Sequence, residues 1–174
     1  PEAPDKTSGA AMRDSILTGR YYCGNCIIGC GRTVHVTEGP YAGIEQGGLE
    51  YETTSLNGSN LLIDDIGAVQ KLNEICNRLG MDTISAGAII GFTMEACDRG
   101  LISANETDGL EVTWGNAAAA VELMQRIGMR QGAFGRRLGE GTLRLAREIG
   151  GEAFAMHVRG LDFPAHDPRA YFAN

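Results

Sequence analysis

The chain has 174 residues, of which 43% are hydrophobic, and its formal net charge at pH 7 is −7. This length suits a single domain over residues 1–174, with enough apolar side chains to bury a core. The acidic balance argues against nucleic acid as a partner, since that would need a basic face, and no run of about 18 apolar residues offers a membrane span.

The first part of the chain carries weak structural signals. Residues 1–9 are polar and contain proline, so they predict a frayed lead-in. Residues 10–20 predict a short helix that ends at Gly19.

Three cysteines then follow within eight residues, Cys23, Cys26 and Cys30, and Gly31-Arg32 comes directly after them. Thiolates separated by two and then three residues can converge on one face of a cluster when the backbone turns tightly, and the loop contains glycines that permit such turns. The spacing favours three ligands of an iron-sulfur cluster, with a fourth ligand from outside this chain.

Other uses of these cysteines are less well supported. Structural zinc usually shows two cysteine pairs or a Cys-His set, and neither accompanies the loop. Five cysteines is an odd number for a disulfide framework, and no apolar secretory leader is seen. Reduced thiols and an oxygen-sensitive cluster together favour a soluble protein of the cytoplasm. Cys76 and Cys97 lie in segments predicted to be helical.

Helices dominate the rest of the chain. Residues 33–37 have the composition of a strand, and residues 38–48 predict an irregular loop. The apolar stripe over residues 65–79 predicts an amphipathic helix with Asp64 as its N-cap and Gly80 just beyond its end.

Three further helical segments are predicted, together with an extended tail. Residues 83–99 are apolar nearly all round and predict a buried helix. Asn116 can cap a helix that runs to residue 127, another helix is predicted to reach residue 149, and residues 103–106 resemble a capping box. The tail predicts a strand and then a proline-fixed segment. The fold class expected is therefore mainly α: a compact multi-helix domain with a cysteine-rich loop and minor β structure at the ends.

Five motifs occur in a specific order along the chain. They are the cysteine loop with its Gly-Arg, Glu50-Tyr51-Glu52-Thr53, residues 77–85, Trp114-Gly115-Asn116, and residues 161–169. In content and order they resemble the middle portion, or second domain, of the aldehyde ferredoxin oxidoreductase family, the tungsten-pterin enzymes.

The resemblance implies cofactors and an activity. Cys23, Cys26 and Cys30 would hold three corners of a 4Fe-4S cluster, beside a tungsten (or molybdenum) ion bound by two pterins. The intact enzyme would oxidise a small aldehyde to the carboxylic acid and pass the electrons to ferredoxin or another acceptor. The N- and C-terminal domains of the same enzyme would supply the other pterin contacts, the fourth cluster cysteine and a catalytic histidine, so the chain alone would be inactive.

The resemblance also implies roles for individual residues. Glu52 would lie near the tungsten, where a carboxylate could act as a base or orient the attacking water. One pterin would contact a loop formed by Asn77, Gly80, Met81, Asp82 and Thr83. The residues themselves leave simpler roles open, since Glu52 could bind backbone amides in a turn, and Asp82 or Thr83 could cap a helix.

The chain departs from the family pattern at three places. Asn77 stands where the family typically has aspartate, which keeps an acceptor but removes its charge. Residues 71–74 lack the Glu-x-x-His pair that bridges subunits in some members, so no such metal is expected. The stretch from residue 41 to residue 48 is longer than usual. His35, His157 and His166 are interpreted as structural, because nothing in the sequence pairs them with a metal set or a nucleophile.

Two functions of other classes remain compatible with the residues. A small electron-transfer module would need a fourth cluster ligand inside the chain, from Cys76 or Cys97. A helical interaction domain would carry zinc in place of iron.

Overall fold

The computed structural model describes residues 3–166 and confirms the mainly helical class. Its α-helices are α1 (Ala3–Lys6), α2 (Gly9–Ser15), α3 (Tyr51–Asn57), α4 (Ile66–Leu79), α5 (Thr83–Asp98), α6 (Ala117–Gly128), α7 (Gly132–Leu138) and α8 (Thr142–Ile149). Single turns of 3-10 helix lie at Ser59–Leu61 and Glu152–Phe154. Residues 167–169 of the last predicted motif lie outside the described range.

Two small antiparallel sheets supply the β structure. Strands β1 (Leu17–Tyr21), β2 (Gly31–His35) and β3 (Glu45–Gly47) form one sheet in the order β1-β2-β3. Strands β4 (His157–Val158) and β5 (Leu161–Asp162) form a hairpin near the other end. The cysteine loop is the connection between β1 and β2.

The three-stranded sheet corrects two predictions. The helix predicted over residues 10–20 ends at Ser15, because the following residues pair with β2 as a strand. The stretch predicted as irregular contains β3, which pairs with β2 and is fixed to α4 by the Gln70 side chain donating to the Gly47 carbonyl over 2.9 Å. Both strands depend on pairing across the chain, which local composition does not reveal.

The N-terminal lead-in also differs in form from the frayed segment predicted for residues 1–9. Residues Ala3–Lys6 make a turn of helix. The Lys6 ammonium group then donates to the Asp64 carboxylate over 2.7 Å, which connects this turn to the segment before α4.

Helix α4 has the predicted length and the predicted stop. It buries an apolar stripe and ends at Gly80, which adopts φ 69° and ψ 34°, the left-handed conformation that glycine favours. The N-cap is Asp65 rather than Asp64. Its Oδ1 accepts from the backbone N–H groups of Gly67 and Ala68, whereas Asp64 is engaged by Lys6.

The cap assignment predicts unequal effects of two aspartate substitutions. Asp65→Ala removes the acceptor from two backbone donors and should lower the free energy of unfolding by about 1 kcal/mol. Asp64→Ala loses only an exposed ion pair and should change stability little. Urea unfolding of the two variants measures the difference. Equal effects, or a larger effect at Asp64, would contradict the assignment.

Helix α5 forms the centre of the domain, as its apolar sequence predicts. Its N-cap is Asp82, which accepts from the Ser85 N–H over 2.8 Å. It packs against α3, α6 and α8, and the approach to α3 is close, since a Cβ built on Gly87 would lie 2.7 Å from the Leu56 carbonyl oxygen. The buried core runs along α4, α5 and α6.

Two short helices, α3 and α7, were not predicted. Helix α7 contains Gly132 and Gly135, which weaken helix propensity, but it buries Phe134 and Leu138 against the core. Helix α6 begins at Asn116 as predicted, with the side chain accepting from the Ala119 N–H over 3.1 Å. The capping-box contact from Ser103 to Glu106 forms, but it closes a series of turns rather than a helix.

No helix within residues 3–166 has both the length and the apolar character needed to cross a membrane.

Candidate functional site

The cysteine loop extends from the end of the hairpin formed by β1 and β2. Cys23, Cys26 and Cys30 are all exposed free thiols. The Cys26 N–H donates to the Cys23 carbonyl over 2.8 Å, which closes a turn, and Gly24 and Gly29 adopt positive φ values of 38° and 59°. Those two conformations are readily available to glycine, so the loop has the tight backbone that the spacing predicted.

Neither of the remaining cysteines is placed to complete a cluster with this loop. Cys76 is fully buried between α4 and α6, where its thiol donates to the Met124 sulfur over 3.4 Å. Burial raises the pKa of the Cys76 thiol to about 12, so it stays protonated at neutral pH. Cys97 lies near the end of α5, and burial raises the pKa of its thiol as well.

The three thiols are chemically suited to bind a cluster, although their sulfur atoms do not converge on one point. Among residues 3–166, no group of three or more His, Cys, Asp or Glu side chains is arranged to hold a metal ion. Three accessible thiols on one tight loop are nevertheless the donors that iron-sulfur clusters use. Two residues after Cys30, the Nε atom of Arg32 is buried without an acceptor.

Arg32, in strand β2 just after the cysteine loop, connects that strand to the start of helix α3. Its guanidinium group lies 3.2 Å from the Glu50 carboxylate, at the residue that precedes the helix. Glu52 lies in the first turn of α3, two residues after Glu50. Glu52 lies at the start of a helix rather than in the turn that the simpler interpretation left open.

The two oxygens of Glu52 have different surroundings. Oε2 accepts a hydrogen bond from the Ala165 N–H over 2.7 Å, so one oxygen is bound to a backbone amide, as the simpler interpretation allowed. Oε1 is buried and has no aligned hydrogen-bond donor, although Nδ1 of His166 lies 3.0 Å away. The side chain is 21% exposed.

Helix α3 is joined to the beginning of α5 by two polar contacts. The hydroxyl groups of Thr53 and Thr83 are 3.0 Å apart. The buried Asn57 side chain donates to the Thr83 carbonyl over 3.0 Å and to the Thr53 carbonyl over 3.2 Å. The segment that carries Glu52 is thus connected to the loop predicted to contact a pterin.

The residues of that loop differ in accessibility. Asn77, Gly80 and Asp82 are exposed, and Thr83 is half-buried. Met81 is half-buried and packs over Gly128 of α6. A groove of about 290 Å³ runs past Met81 and Asp82 between the start of α5 and the turns that flank α7. Asp82 has the capping role that the residues alone allowed, and its second oxygen remains available.

A larger cleft of about 700 Å³ opens beside the first turn of α3. Tyr51 and Ala165 lie at this end of the cleft, and its lining includes the aromatic rings of Phe92, Trp114, Phe154 and Phe163. Phe92 and Phe154 stack with their ring centroids 4.8 Å apart. The cleft places apolar surface next to the residues that flank Glu52.

The three histidines have different environments. His35 lies in β2 and pairs with Glu45 of β3, and Nδ1 of His157 accepts from the Gly160 N–H in the β4–β5 turn. Both are consistent with structural roles. His166 instead meets Glu52, a contact that sequence reasoning missed, because no spacing rule connects residues so far apart in the chain.

The environments of the five cysteines predict two classes of thiol reactivity in the metal-free chain. At pH 8, three thiols should react rapidly with a chromogenic disulfide reagent, since Cys23, Cys26 and Cys30 are exposed. Cys76 should not react until the protein unfolds, because its pKa is raised to about 12. As a control, Cys76→Ala should leave the rapid phase unchanged and remove one thiol from the total in denaturant. A rapid phase that loses one thiol in Cys76→Ala would contradict the buried environment of Cys76.

Comparison with known proteins agrees with these features. Residues 1–173 match the family described as aldehyde ferredoxin oxidoreductase, domains 2 and 3. The helical domain with its cysteine loop is thus a recognised part of an oxidoreductase family. The chain belongs to the aldehyde ferredoxin oxidoreductase family, which confirms the resemblance inferred from the five motifs.

Individual relatives align with nearly the whole of this chain, but each alignment covers only a part of the relative's own length. A tungsten-containing aldehyde ferredoxin oxidoreductase of Pyrococcus furiosus is 38% identical over 93% of this chain, and one of Thermococcus kodakarensis is 36% identical over the same share. An aliphatic sulfonate oxidoreductase, WOR-like subunit, of P. furiosus is 33% identical over 83%. The chain spans about a quarter of the length of these relatives.

A solved structure shares the fold. The active-site complex BamBC of benzoyl coenzyme A reductase, in complex with 1,5-dienoyl-CoA, superposes with a TM-score of 0.67 and 24% identity. The match covers 83% of this chain and 21% of that one. At this identity the similarity concerns the fold alone.

Proposed function

We propose that this chain is part of a tungsten (or molybdenum) pterin oxidoreductase that oxidises aldehydes to carboxylic acids. The electrons pass through a 4Fe-4S cluster to ferredoxin or another acceptor. One observation carries the proposal: Arg32, in the strand that follows the cysteine loop, pairs with Glu50 before the helix of Glu52, and that helix contacts Thr83. The three regions that the family resemblance assigns to cluster, catalysis and pterin are thus neighbours in one folded unit.

Each region has a defined part in this proposal. Cys23, Cys26 and Cys30 hold three irons of the cluster, and the exposed polar groups of the loop from Asn77 to Thr83 bind one pterin. The bound metal and its pterins, when present, supply the redox chemistry. The chain's own contribution at the reaction centre is Glu52.

Glu52 is suited to accept a proton or to orient water. Conversion of an aldehyde to an acid adds an oxygen from water and releases protons, so a positioned carboxylate beside the substrate is useful. The side chain is partly shielded and its position is fixed at Oε2 by the Ala165 N–H. A carboxylate held at one oxygen loses less freedom when the substrate binds than an unrestrained one.

The alternative of a self-contained electron-transfer module has less support. It needs a fourth ligand inside the chain, but Cys76 is buried and protonated, and no cluster of donors forms around the loop among the described residues. We therefore assign the fourth ligand, the second pterin motif and a further catalytic histidine to other domains of the same enzyme, which we place in the cytoplasm.

The test uses the intact enzyme that contains this chain, purified without oxygen. The proposal predicts ferredoxin reduction that requires an added aldehyde, carboxylic acid as the product, and tungsten or molybdenum together with iron in the protein. An aliphatic sulfonate is the matched alternative substrate, since one relative is named for that activity. Turnover of the sulfonate without turnover of any aldehyde would refute the proposed substrate class.

A further inference from the structure

The segment after β5 folds back onto the first turn of α3. The Tyr51 hydroxyl donates to the Ala165 carbonyl over 3.3 Å, and the Ala165 N–H donates to Glu52 Oε2 over 2.7 Å. The ring centroids of Tyr51 and His166 are 5.8 Å apart. These contacts cross-link two parts of the chain that are separated by more than a hundred residues, and they place His166 over the Glu52 carboxylate.

This arrangement places His166 beside the second carboxylate oxygen of Glu52, Oε1. Oε1 is buried, and a buried carboxylate oxygen without a donor is costly. Nδ1 of His166 is 3.0 Å from it, within hydrogen-bonding distance, and a small rotation of the imidazole would align an Nδ1–H with Oε1. With that hydrogen bond, both oxygens of Glu52 would be held by donors from the same short segment.

A hydrogen bond from His166 would restrict the orientation of the Glu52 carboxylate. A glutamate has several rotamers, and a single hydrogen bond from Ala165 leaves the plane of the carboxylate free to turn. A second donor on Oε1 fixes that plane. The segment from Ala165 to His166 can therefore hold both oxygens of the Glu52 carboxylate in place.

We propose that His166 is a positioning residue for Glu52: its Nδ1–H donates to Oε1 and holds the carboxylate oriented toward the substrate. The inference rests on the proposed function, in which Glu52 is the group that accepts a proton or orients water. His166 itself transfers no proton and touches no substrate. It acts through the hydrogen bond alone.

Substitutions in the intact enzyme separate this role from a merely structural one. His166→Ala removes the donor and should lower kcat with the aldehyde by about tenfold, the loss expected for one hydrogen bond to a charged group, with KM little changed. His166→Asn places an amide N–H near the position of Nδ1 and should restore most of the activity. His166→Leu retains bulk without a donor and should resemble His166→Ala. If the asparagine variant is as slow as the alanine variant, or if both match the wild type, the inference is wrong.

A second readout does not depend on activity. Nitrogen-15 NMR of the 174-residue chain distinguishes the tautomers of neutral histidines, and the proposal predicts a proton on Nδ1 of His166 that is lost from that position in Glu52→Ala. His157 is an internal reference of the opposite kind, since its Nδ1 accepts from Gly160 and its neutral ring must carry the proton on Nε2.

The NMR outcome separates the two proposals. The proposed hydrogen bond is ruled out if His166 carries its proton on Nε2 in the wild type, or if its tautomer is unchanged in Glu52→Ala. An intact enzyme that shows the predicted tautomer but oxidises no aldehyde would instead refute the proposed function, while the contact between His166 and Glu52 would stand.

Discussion

Glu52→Gln in the intact enzyme should lower kcat for aldehyde oxidation by about a hundredfold or more, the usual contribution of a positioned acid or base. The amide keeps the size of the side chain and one acceptor oxygen, but it cannot accept a proton at neutral pH. Metal content and helical content should stay unchanged, because Glu52 is neither a cluster ligand nor part of the core. Steady-state kinetics with ferredoxin as acceptor measures the effect.

The matched control is Glu122→Gln. Glu122 lies on α6 and pairs with Arg126 over 2.7 Å, so the same chemical change occurs on a helix to which no catalytic role is assigned. Its kcat should equal that of the wild type. Retention of full activity by Glu52→Gln would remove Glu52 from the mechanism.

Gly87→Ala should lower the free energy of unfolding of the 174-residue chain by about 1–3 kcal/mol. The added methyl group would meet the Leu56 carbonyl oxygen at 2.7 Å, and a backbone atom in a packed interface cannot easily move aside. Helix α5 would have to shift away from α3, which would also weaken the contact between Thr53 and Thr83. The loss should exceed the gain of about 1 kcal/mol that alanine brings to a helix.

Gly9→Ala is the control for this prediction. A Cβ at Gly9, the first residue of α2, meets nothing within 4 Å. Alanine should therefore be neutral or slightly stabilising there. Chemical denaturation of both variants gives the comparison, and equal stability of the two would show that α3 and α5 do not pack as closely as described.

The parts of the fold that were predictable are those with strong local signals. Helix α4 shows an apolar stripe with a helical period and a glycine at its end, and α5 is apolar throughout with Asp82 before it. In both, the local preferences and the final packing agree. Even there, the choice between Asp64 and Asp65 as cap depended on Lys6, a partner far away in sequence.

The elements that were not predicted depend on contacts across the chain. Helix α3 contains two neighbouring threonines, which favour strands, and it becomes helical where Leu56 and Asn57 pack against α5. Strand β1 is specified by its pairing with β2 rather than by its own composition.

The candidate site likewise contains residues that the sequence identified and contacts that it did not. The cysteine spacing and the family motifs identified Cys23, Cys26, Cys30 and Glu52 as candidates from the sequence. Two contacts of the described structure, from Arg32 to Glu50 and from His166 to Glu52, join residues that no local pattern connects. They became visible only once the strands and helices were placed.

The central claim is that the three cysteines of one loop hold a 4Fe-4S cluster in an enzyme of this family. It is tested most directly by iron analysis and low-temperature EPR of the dithionite-reduced intact enzyme, compared with Cys26→Ala and with the internal control Cys97→Ala. We expect about four irons and a cubane signal in the wild type and in Cys97→Ala, and loss of both in Cys26→Ala. An undiminished signal in Cys26→Ala, or zinc in place of iron in the wild type, would contradict the account.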